Sequence, residues 1–300
     1  MTLAETILDI SRQHLKDGGL ILGQNLEAQQ NVVGTVPVGE SGVTILPTSE
    51  TAMAGVAIGA ALSGKPVIYV LRFSSFTWLQ ASPLINYAGI AKGLWGYDIP
   101  LFVRVLAMDG GGPVHSGSMI SILAHRPGLA IAAPCTPIEY QDVWGWFQEH
   151  RQPIVVSEHR STYQNTEHMP WMFEETMGHP ASYLIMAISN ARESARVAMQ
   201  RLNAEGVYGK IAHMFWLNPF SKESWDYIVL AAKQVLGVAV ADCTYEPCSI
   251  AEHVAYRIAS ETGTRVRVVG MEPRLSGVAE RLENGTPSAE RIVRAVKELL

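Results

Sequence analysis

Apolar runs rich in β-branched residues alternate with helical patterns along nearly the whole chain, and this alternation constrains the fold most strongly. Residues 67–71, 101–106, 129–133 and 153–157 have the composition of buried strands. Between them, residues 51–62 and 137–150 have the spacing of helices, the second with an early Pro137. Strands and helices in alternation predict parallel sheets covered on both faces, which is an α/β fold.

The alternation breaks once, in a polar and irregular stretch around residues 160–182. It then resumes, with strands predicted at 183–189, 210–217, 236–242 and 265–269 and helices at 191–204 and 287–300. Ser249 and Glu252 have the spacing of a capping box at the start of another helix. Because 300 residues exceed one ordinary core, we predict two doubly wound domains, at residues 1–165 and 180–300, joined by a linker.

Composition excludes several classes of protein. The net charge is −5 and there is no basic run, so neither nucleic acid nor an anionic membrane is an expected partner. The longest apolar stretches, such as 55–63, are too short to span a bilayer, and the first residues lack a signal-peptide pattern. The three cysteines, at 135, 243 and 248, have no disulfide-framework or metal-site spacing. We therefore expect a cytoplasmic protein without a metal site of its own.

A single carboxylate, Glu50, opens the otherwise apolar helical pattern at 51–62, in which small residues would let another helix approach closely. One interpretation is a helix N-terminal carboxylate facing the macrodipole, and the spacing by itself favours it. The other is a buried carboxylate that forms a hydrogen bond with a nitrogen of a ligand. The residues alone leave both open.

Two further segments carry residues suited to chemistry. His115 projects from a Gly-rich loop, 109–118, that follows a predicted strand, where parallel sheets bind ligands. An imidazole there suits acid–base chemistry near neutral pH, although a flexible loop with an incidental histidine also fits. Phe76, after another predicted strand, is suited to stack on a flat ring, but an aromatic that fills the core is the simpler interpretation. The chain contains no phosphate-binding loop motif.

Taken in order, these motifs resemble one known family. They are Pro-Thr-Ser-Glu50, the Gly-Ala helix, Phe76 followed by Gln80, the loop that ends at His115, His-Arg-Pro-Gly-Leu at 125–129 and Ala-Pro-Cys-Thr-Pro at 133–137. This order resembles the β subunit of 2-oxo acid (pyruvate and branched-chain) dehydrogenases, within the transketolase-like thiamine-diphosphate enzymes. The resemblance covers essentially the whole chain. It implies a pyrimidine-binding domain followed by a transketolase C-terminal-like domain.

The resemblance also implies roles for individual residues. Glu50 would bond the aminopyrimidine ring nitrogen of thiamine diphosphate and so activate the cofactor, Phe76 would stack on that ring, and Gln80 would help to bind it. His115 would act on the substrate or the acylated cofactor. An α-type partner subunit would hold the diphosphate and Mg²⁺, because the Gly-Asp-Gly motif of that half-site is absent here, and an α₂β₂ assembly is expected.

Departures from the family pattern leave the substrate open. Gln24-Asn25, Ser82-Pro83 and Pro247-Cys248 replace residues that are usual in the family. Two chemistries remain for an active subunit: decarboxylation of a 2-oxo acid with acyl transfer, and transfer of a two-carbon ketol unit to an aldehyde. A non-catalytic scaffold subunit is a further alternative, against which Glu50 and His115 argue. A standalone nucleotide-binding homodimer is another, and the missing phosphate motif argues against it.

Overall fold

The computed structural model describes residues 1–167 and 173–300, and the chain forms two compact units. The N-terminal unit comprises Met1–Ala107 and Ile122–Met169, and the C-terminal unit comprises Met108–Ser121 and Pro170–Leu300. The segment that carries His115 therefore belongs to the C-terminal unit, although it lies between two strands of the N-terminal unit in sequence. The linker expected around residues 160–182 lies partly outside the described residues.

The strands follow the predicted alternation. In chain order they are β1 (Leu20–Gly23), β2 (Val43–Ile45), β3 (Val67–Leu71), β4 (Leu101–Ala107), β5 (Ala130–Ala132), β6 (Ile154–His159), β7 (Phe173–Glu175), β8 (Tyr183–Ile188), β9 (Gly209–Met214), β10 (Trp216–Asn218), β11 (Gly237–Tyr245) and β12 (Arg265–Met271). The single strand expected at 210–217 is divided into β9 and β10.

Helices occupy the segments between the strands. In chain order they are α1 (Leu3–Lys16), α2 (Ala28–Gly34), α3 (Glu50–Leu62), α4 (Thr77–Pro83), α5 (Gly89–Trp95), α6 (Gly112–His115), α7 (Pro137–His150), α8 (Ala191–Ala204), α9 (Lys222–Ala232), α10 (Ile250–Thr262) and α11 (Ala289–Leu299). None of those within the described ranges is long and apolar enough to cross a membrane.

The N-terminal unit is built on a parallel sheet in which β5, β6, β4, β3, β1 and β2 lie side by side in that order. Strands β3 and β4 are buried along their whole length, which matches their continuous apolar sequences. Phe102 from β4 packs against Tyr140, Trp144 and Phe147 of α7, with ring centroids 5.1–5.9 Å apart. The sheet order places the ends of β1, β3, β4 and β6 along one edge.

The C-terminal unit has a second sheet in the order β12, β11, β8, β9 and β7. All its pairs are parallel except β7 with β9, which is antiparallel, so the expectation of purely parallel sheets is wrong at this edge. Buried residues of α8 and α11, among them Leu202, Ile292 and Leu299, cover one face of the sheet. The predicted α/β class with two doubly wound sheets is confirmed.

Two local features differ from the expectations. Ser249 caps α10 by accepting a hydrogen bond from the Glu252 N–H at 3.1 Å, but the Glu252 carboxylate accepts from the N–H of Cys248 at 2.7 Å. The predicted capping box is therefore only half formed. In α2, the residues from Gln29 to Val33 have φ between 53° and 58°, which makes this turn left-handed. Such a backbone costs roughly 1–2 kcal/mol per residue for L-amino acids, and no sequence pattern indicated it.

Candidate cofactor-binding site

Glu50 is the first residue of α3, at the positive end of the helix dipole. Its side chain is half-buried rather than buried, and its carboxylate makes no hydrogen bond or ion pair with any other described residue. Ser49, the residue before it, does not cap the helix through its side chain either. The carboxylate is therefore not consumed by capping its own helix and remains able to bind a ligand.

Two buried polar residues lie beside Glu50. Tyr69 of β3 donates its hydroxyl hydrogen to Oε1 of Gln80 in α4, over 2.6 Å. Burial, and after it the negative charge of the nearby Glu50, raises the pKa of Tyr69. The helices α3 and α4 are also tied at this end, because the Thr51 hydroxyl donates to the carbonyl oxygen of Leu79 at 2.8 Å.

This arrangement presents complementary groups at one place. Because Gln80 accepts through Oε1, its Nε2 hydrogens are available, and they have no partner in the part of the chain that the structure describes. Glu50 offers carboxylate oxygens a short distance away. An acceptor and a donor fixed together suit the edge of a flat heterocycle that carries both kinds of group. The residues present therefore fit an aminopyrimidine ring.

Phe76 ends a short 3₁₀ turn, Ser74–Phe76, that connects β3 to α4. Its ring packs edge-to-face against Phe73, with centroids 5.8 Å apart, and its side chain is half-buried. The interpretation of Phe76 as an aromatic that fills the core is therefore wrong. A half-buried ring four residues before Gln80 is suitably placed to pack on a planar ligand.

His115 ends α6 within the segment that belongs to the C-terminal unit. Several bonds hold this segment there: the Ser118 N–H donates to the carbonyl oxygen of Cys243 at 3.0 Å, and the Thr286 N–H donates to the Asp109 carboxylate at 2.8 Å. Gly117 has φ +79°, and a Cβ there would lie 2.2 Å from the Met271 sulfur, so only glycine fits. The segment, for which a flexible loop was the alternative, thus includes a helical turn and is anchored by specific contacts.

The chemistry of His115 follows from its surroundings. The imidazole is half-buried, and burial lowers its pKa. A neutral imidazole near pH 7 can accept a proton, which suits a general base. The structure thus brings Glu50, Phe76 and Gln80 together in the N-terminal unit and holds His115 on the C-terminal unit.

Metal-binding and thiol groups are sparse. Within residues 1–167 and 173–300, no group of three or more His, Cys, Asp or Glu side chains is arranged to hold a metal ion. All three cysteines are free thiols, with Cys135 and Cys243 buried and Cys248 exposed.

The residue patterns missed two members of this region. Tyr69 looked like one more apolar strand residue, and only its bond to Gln80 reveals its polar role. Arg72 follows β3 directly and is only 8% exposed. A charged residue at the carboxyl end of a buried strand is a signal that could have identified Arg72.

The fold and the site together define a class of two-unit α/β proteins with a carboxylate at the start of a Gly-rich helix. A solved structure described as split gene transketolase, inactive beta4 tetramer, has the same fold, with a TM-score of 0.76, 15% sequence identity and coverage of 100% of this chain and 98% of that one. The family model "Transketolase, pyrimidine binding domain" matches residues 17–166, half of the chain. The chain belongs to this family, and the fold implied by the sequence resemblance is confirmed.

Similar curated proteins are β subunits of several enzymes. The 2-oxoisovalerate dehydrogenase subunit beta of Bacillus subtilis (strain 168) is 32% identical over 130 residues, which is 42% of this chain and 40% of that protein. The acetoin:2,6-dichlorophenolindophenol oxidoreductase subunit beta of Cupriavidus necator is 24% identical over 226 residues, which is 72% of this chain and 66% of that protein. The chain thus spans less than two thirds of the length of these relatives.

Proposed function

We propose that this chain is the β-type subunit of a heteromeric thiamine-diphosphate-dependent enzyme and that it binds the aminopyrimidine end of the cofactor. The observation that carries this proposal is the Glu50 carboxylate, half-buried and without a partner among the described residues, beside the Tyr69–Gln80 pair. When bound, thiamine diphosphate supplies a carbon nucleophile for breaking or making a bond next to a carbonyl group.

Each residue of the chain then has a distinct task. Glu50 holds a proton at a ring nitrogen of the aminopyrimidine and so controls its protonation. Gln80 donates a hydrogen bond that orients the ring, and Tyr69 keeps the Gln80 amide in place. Phe76 packs on the flat face of the ring. His115, which burial keeps neutral near pH 7 by lowering its pKa, accepts a proton from the substrate or from the group under transfer.

An exposed apolar surface supports the proposal of a partner subunit. Beyond Thr51, the exposed residues of α3 are all apolar. They are Ala52, Gly55, Val56, Gly59 and Leu62, which we call the α3 face. Val56 and Leu62 are 51% and 49% exposed, and a Cβ at either glycine would have no neighbour within 4 Å. A helix that is apolar all round is normally buried, and glycines with open space permit close helix packing.

The α3 face begins next to Glu50, so a chain that covers it also reaches the cofactor site. We propose that an α-type subunit occupies this surface and brings the residues that hold the diphosphate and Mg²⁺, in an α₂β₂ assembly. Trp78 and Leu79 of the adjacent α4 are 63% and 53% exposed and extend the same surface. Charge-free, apolar contact areas are typical of permanent rather than transient interfaces.

The names of the relatives support a 2-oxo acid as the substrate. They include 2-oxoisovalerate dehydrogenase and pyruvate dehydrogenase E1 β subunits. We propose decarboxylation of a 2-oxo acid with transfer of the acyl group. Transfer of a two-carbon ketol unit to an aldehyde is the alternative, which a substrate comparison separates from the first.

The test uses the chain co-expressed with the product of the neighbouring gene. Thiamine diphosphate with Mg²⁺ is titrated calorimetrically into the chain alone and into the complex, and tight binding is expected only in the complex. Glu50→Gln should lower turnover by about 10²- to 10⁴-fold while the complex still assembles. Glu27→Gln, an exposed carboxylate in the same unit, is the matched control.

The substrate comparison then decides the chemistry. Pyruvate and 2-oxoisovalerate with lipoamide are set against a ketose donor with an aldehyde acceptor. Turnover of the first pair supports the dehydrogenase, and turnover of the second supports the transketolase-type alternative. Assembly without cofactor binding would instead indicate a scaffold subunit, and unchanged turnover of Glu50→Gln would contradict the role of Glu50.

A further inference from the structure

Arg72 is a buried guanidinium without a counter-ion in the part of the chain that the structure describes. It follows the last residue of β3, at the carboxyl edge of the N-terminal sheet, and only 8% of it is exposed. Its Nε atom has no hydrogen-bond partner, and its side chain makes no ion pair with any residue in the described ranges. Arginine is almost never this buried unless it is paired, so the folded chain holds an unsatisfied cation at this edge.

The carboxylate that strand register places level with Arg72 already has partners for both of its oxygens. Strand register places Arg72 level with Leu106 of β4 and Glu158 of β6. Both oxygens of Glu158 accept hydrogen bonds from Arg104, at 2.8 Å each, and one each from Tyr140 and Tyr163, at 2.7 Å. Glu158 therefore neutralises Arg104 and leaves Arg72 uncompensated.

A second cation lies close by. Arg160 follows β6 at the same edge of the sheet, and its positive charge adds to burial in lowering the pKa of Arg72. A like charge nearby makes the charged form of Arg72 less favourable, and an anion bound at Arg72 would offset this cost. The fold thus keeps the unpaired charge of Arg72 where parallel sheets bind their ligands.

This unpaired charge borders the proposed cofactor site. The guanidinium carbon of Arg72 lies 5.4 Å from the ring centroid of Phe73, and Phe73 packs edge-to-face on Phe76. Phe76 is the residue proposed to contact the aminopyrimidine ring. A single aromatic side chain, Phe73, thus connects Arg72 to the residue proposed to contact the ring.

We propose that Arg72 binds the anionic group of the substrate, a carboxylate or a phosphate. A guanidinium suits such an oxyanion because its planar N–H groups match two oxygens at once. The location of this group beside a reacting cofactor rests on the proposed function, whereas anion binding itself does not. Neither the sequence resemblance nor the relatives assign a role to Arg72.

The first test measures the unfolding temperature of the chain and of its complex in the presence of pyruvate, inorganic phosphate or the neutral pyruvamide. Each value is compared with the unfolding temperature in chloride at the same ionic strength. Arg72→Met keeps the apolar stem, and Arg12→Met, an exposed residue paired with Glu40, is the control. Without anions, Arg72→Met should unfold at a higher temperature than the wild type, because an unpaired buried charge is gone. Pyruvate or phosphate should stabilise the wild type and Arg12→Met but not Arg72→Met, and pyruvamide should stabilise none.

The two anions distinguish a substrate carboxylate from a substrate phosphate. A response to pyruvate alone assigns a carboxylate, and a response to phosphate alone assigns a phosphorylated substrate. No response of the wild type to either anion, or an undiminished response of Arg72→Met, would overturn the proposal.

The second test uses the assembled holoenzyme. Arg72→Met should raise KM for the anionic substrate at least tenfold while the affinity for thiamine diphosphate is unchanged. Loss of assembly in Arg72→Met would show instead that Arg72 pairs with the partner subunit, and the proposal would be wrong. If Glu50→Gln keeps full activity while anion stabilisation still depends on Arg72, the proposed function fails and the anion site stands.

Discussion

Asp242 in β11 should make the stability of the C-terminal unit depend on pH. The side chain is 3% exposed and has no cationic partner among the residues that the structure describes. Its carboxyl oxygens accept hydrogen bonds from the N–H of Cys243 at 2.7 Å and from the hydroxyl of Thr244 at 3.2 Å. Burial outweighs these two bonds and raises the pKa of Asp242 to about 7, from an ordinary value of 3.8.

The raised pKa of Asp242 decides whether the stability rises or falls with pH. Because the folded state binds the proton more tightly than the unfolded state, the contribution of Asp242 is fully present below about pH 4 and is lost as the pH rises towards 7. A pKa shift of about three units, at about 1.4 kcal/mol per unit, corresponds to a loss of as much as about 4 kcal/mol in the free energy of unfolding. Asp242→Asn mimics the protonated form and should escape this loss.

The assay is urea unfolding of wild type and Asp242→Asn at pH 5 and pH 8, followed by far-UV circular dichroism. The variant should be more stable than the wild type by about 1–2 kcal/mol at pH 5 and by up to about 4 kcal/mol at pH 8. Histidines that titrate in this range affect both proteins equally, so the difference isolates Asp242. Asp9→Asn, an exposed residue of α1, controls for the chemical change. An equal difference at both pH values would refute the reasoning.

Three further predictions concern the N-terminal unit. Glu158→Gln should lower the free energy of unfolding in urea by about 3–5 kcal/mol, because it leaves Arg104 buried without its counter-charge. Apolar replacement of both residues should recover most of this loss. An unaltered urea midpoint for Glu158→Gln would contradict the pairing. Gly55→Leu should preserve the stability of the isolated chain, or raise it by up to about 1 kcal/mol, because the space beside Gly55 is open. The same variant should no longer form the complex in size-exclusion chromatography. An intact complex would exclude the α3 face as the contact surface. Tyr69→Phe should lower the free energy of unfolding in urea by about 1–3 kcal/mol, because it leaves Oε1 of Gln80 unpaired. It should also weaken the binding of thiamine diphosphate to the complex, measured by calorimetry. An unchanged affinity would show that Tyr69 does not support the site.

Much of the architecture could be predicted because secondary structure depends on local patterns. The predicted bounds of β3, α7 and α8 agree with the structure, since each is a periodic segment with a clear start and end signal. The helices α1 and α4 were not predicted, although α1 begins with a capping box formed by Thr2 and Glu5. The motifs around Glu50 were informative in combination, because their order over the chain is far more specific than any one of them.

Other features could not be predicted because they depend on which segments meet. The antiparallel pairing of β7 and the division of residues 210–217 are decided by neighbouring strands. The same is true of the 108–121 segment, which forms bonds with Cys243, Ile250 and Thr286, more than 100 positions further along the chain. Contacts at such distances leave no local periodicity in the sequence.

The sequence by itself determined the alternation of strands and helices, the family resemblance and the identity of Glu50, Phe76, Gln80 and His115 as candidates. Only the tertiary structure decided which charges are compensated. In the sequence, Arg72 and Arg104 are both arginines in or beside an apolar strand, yet Arg104 meets Glu158 while Arg72 meets no counter-charge within the described residues. The difference arises because the energy of a buried charge depends on its neighbours in space, and these are set by the packing of distant strands.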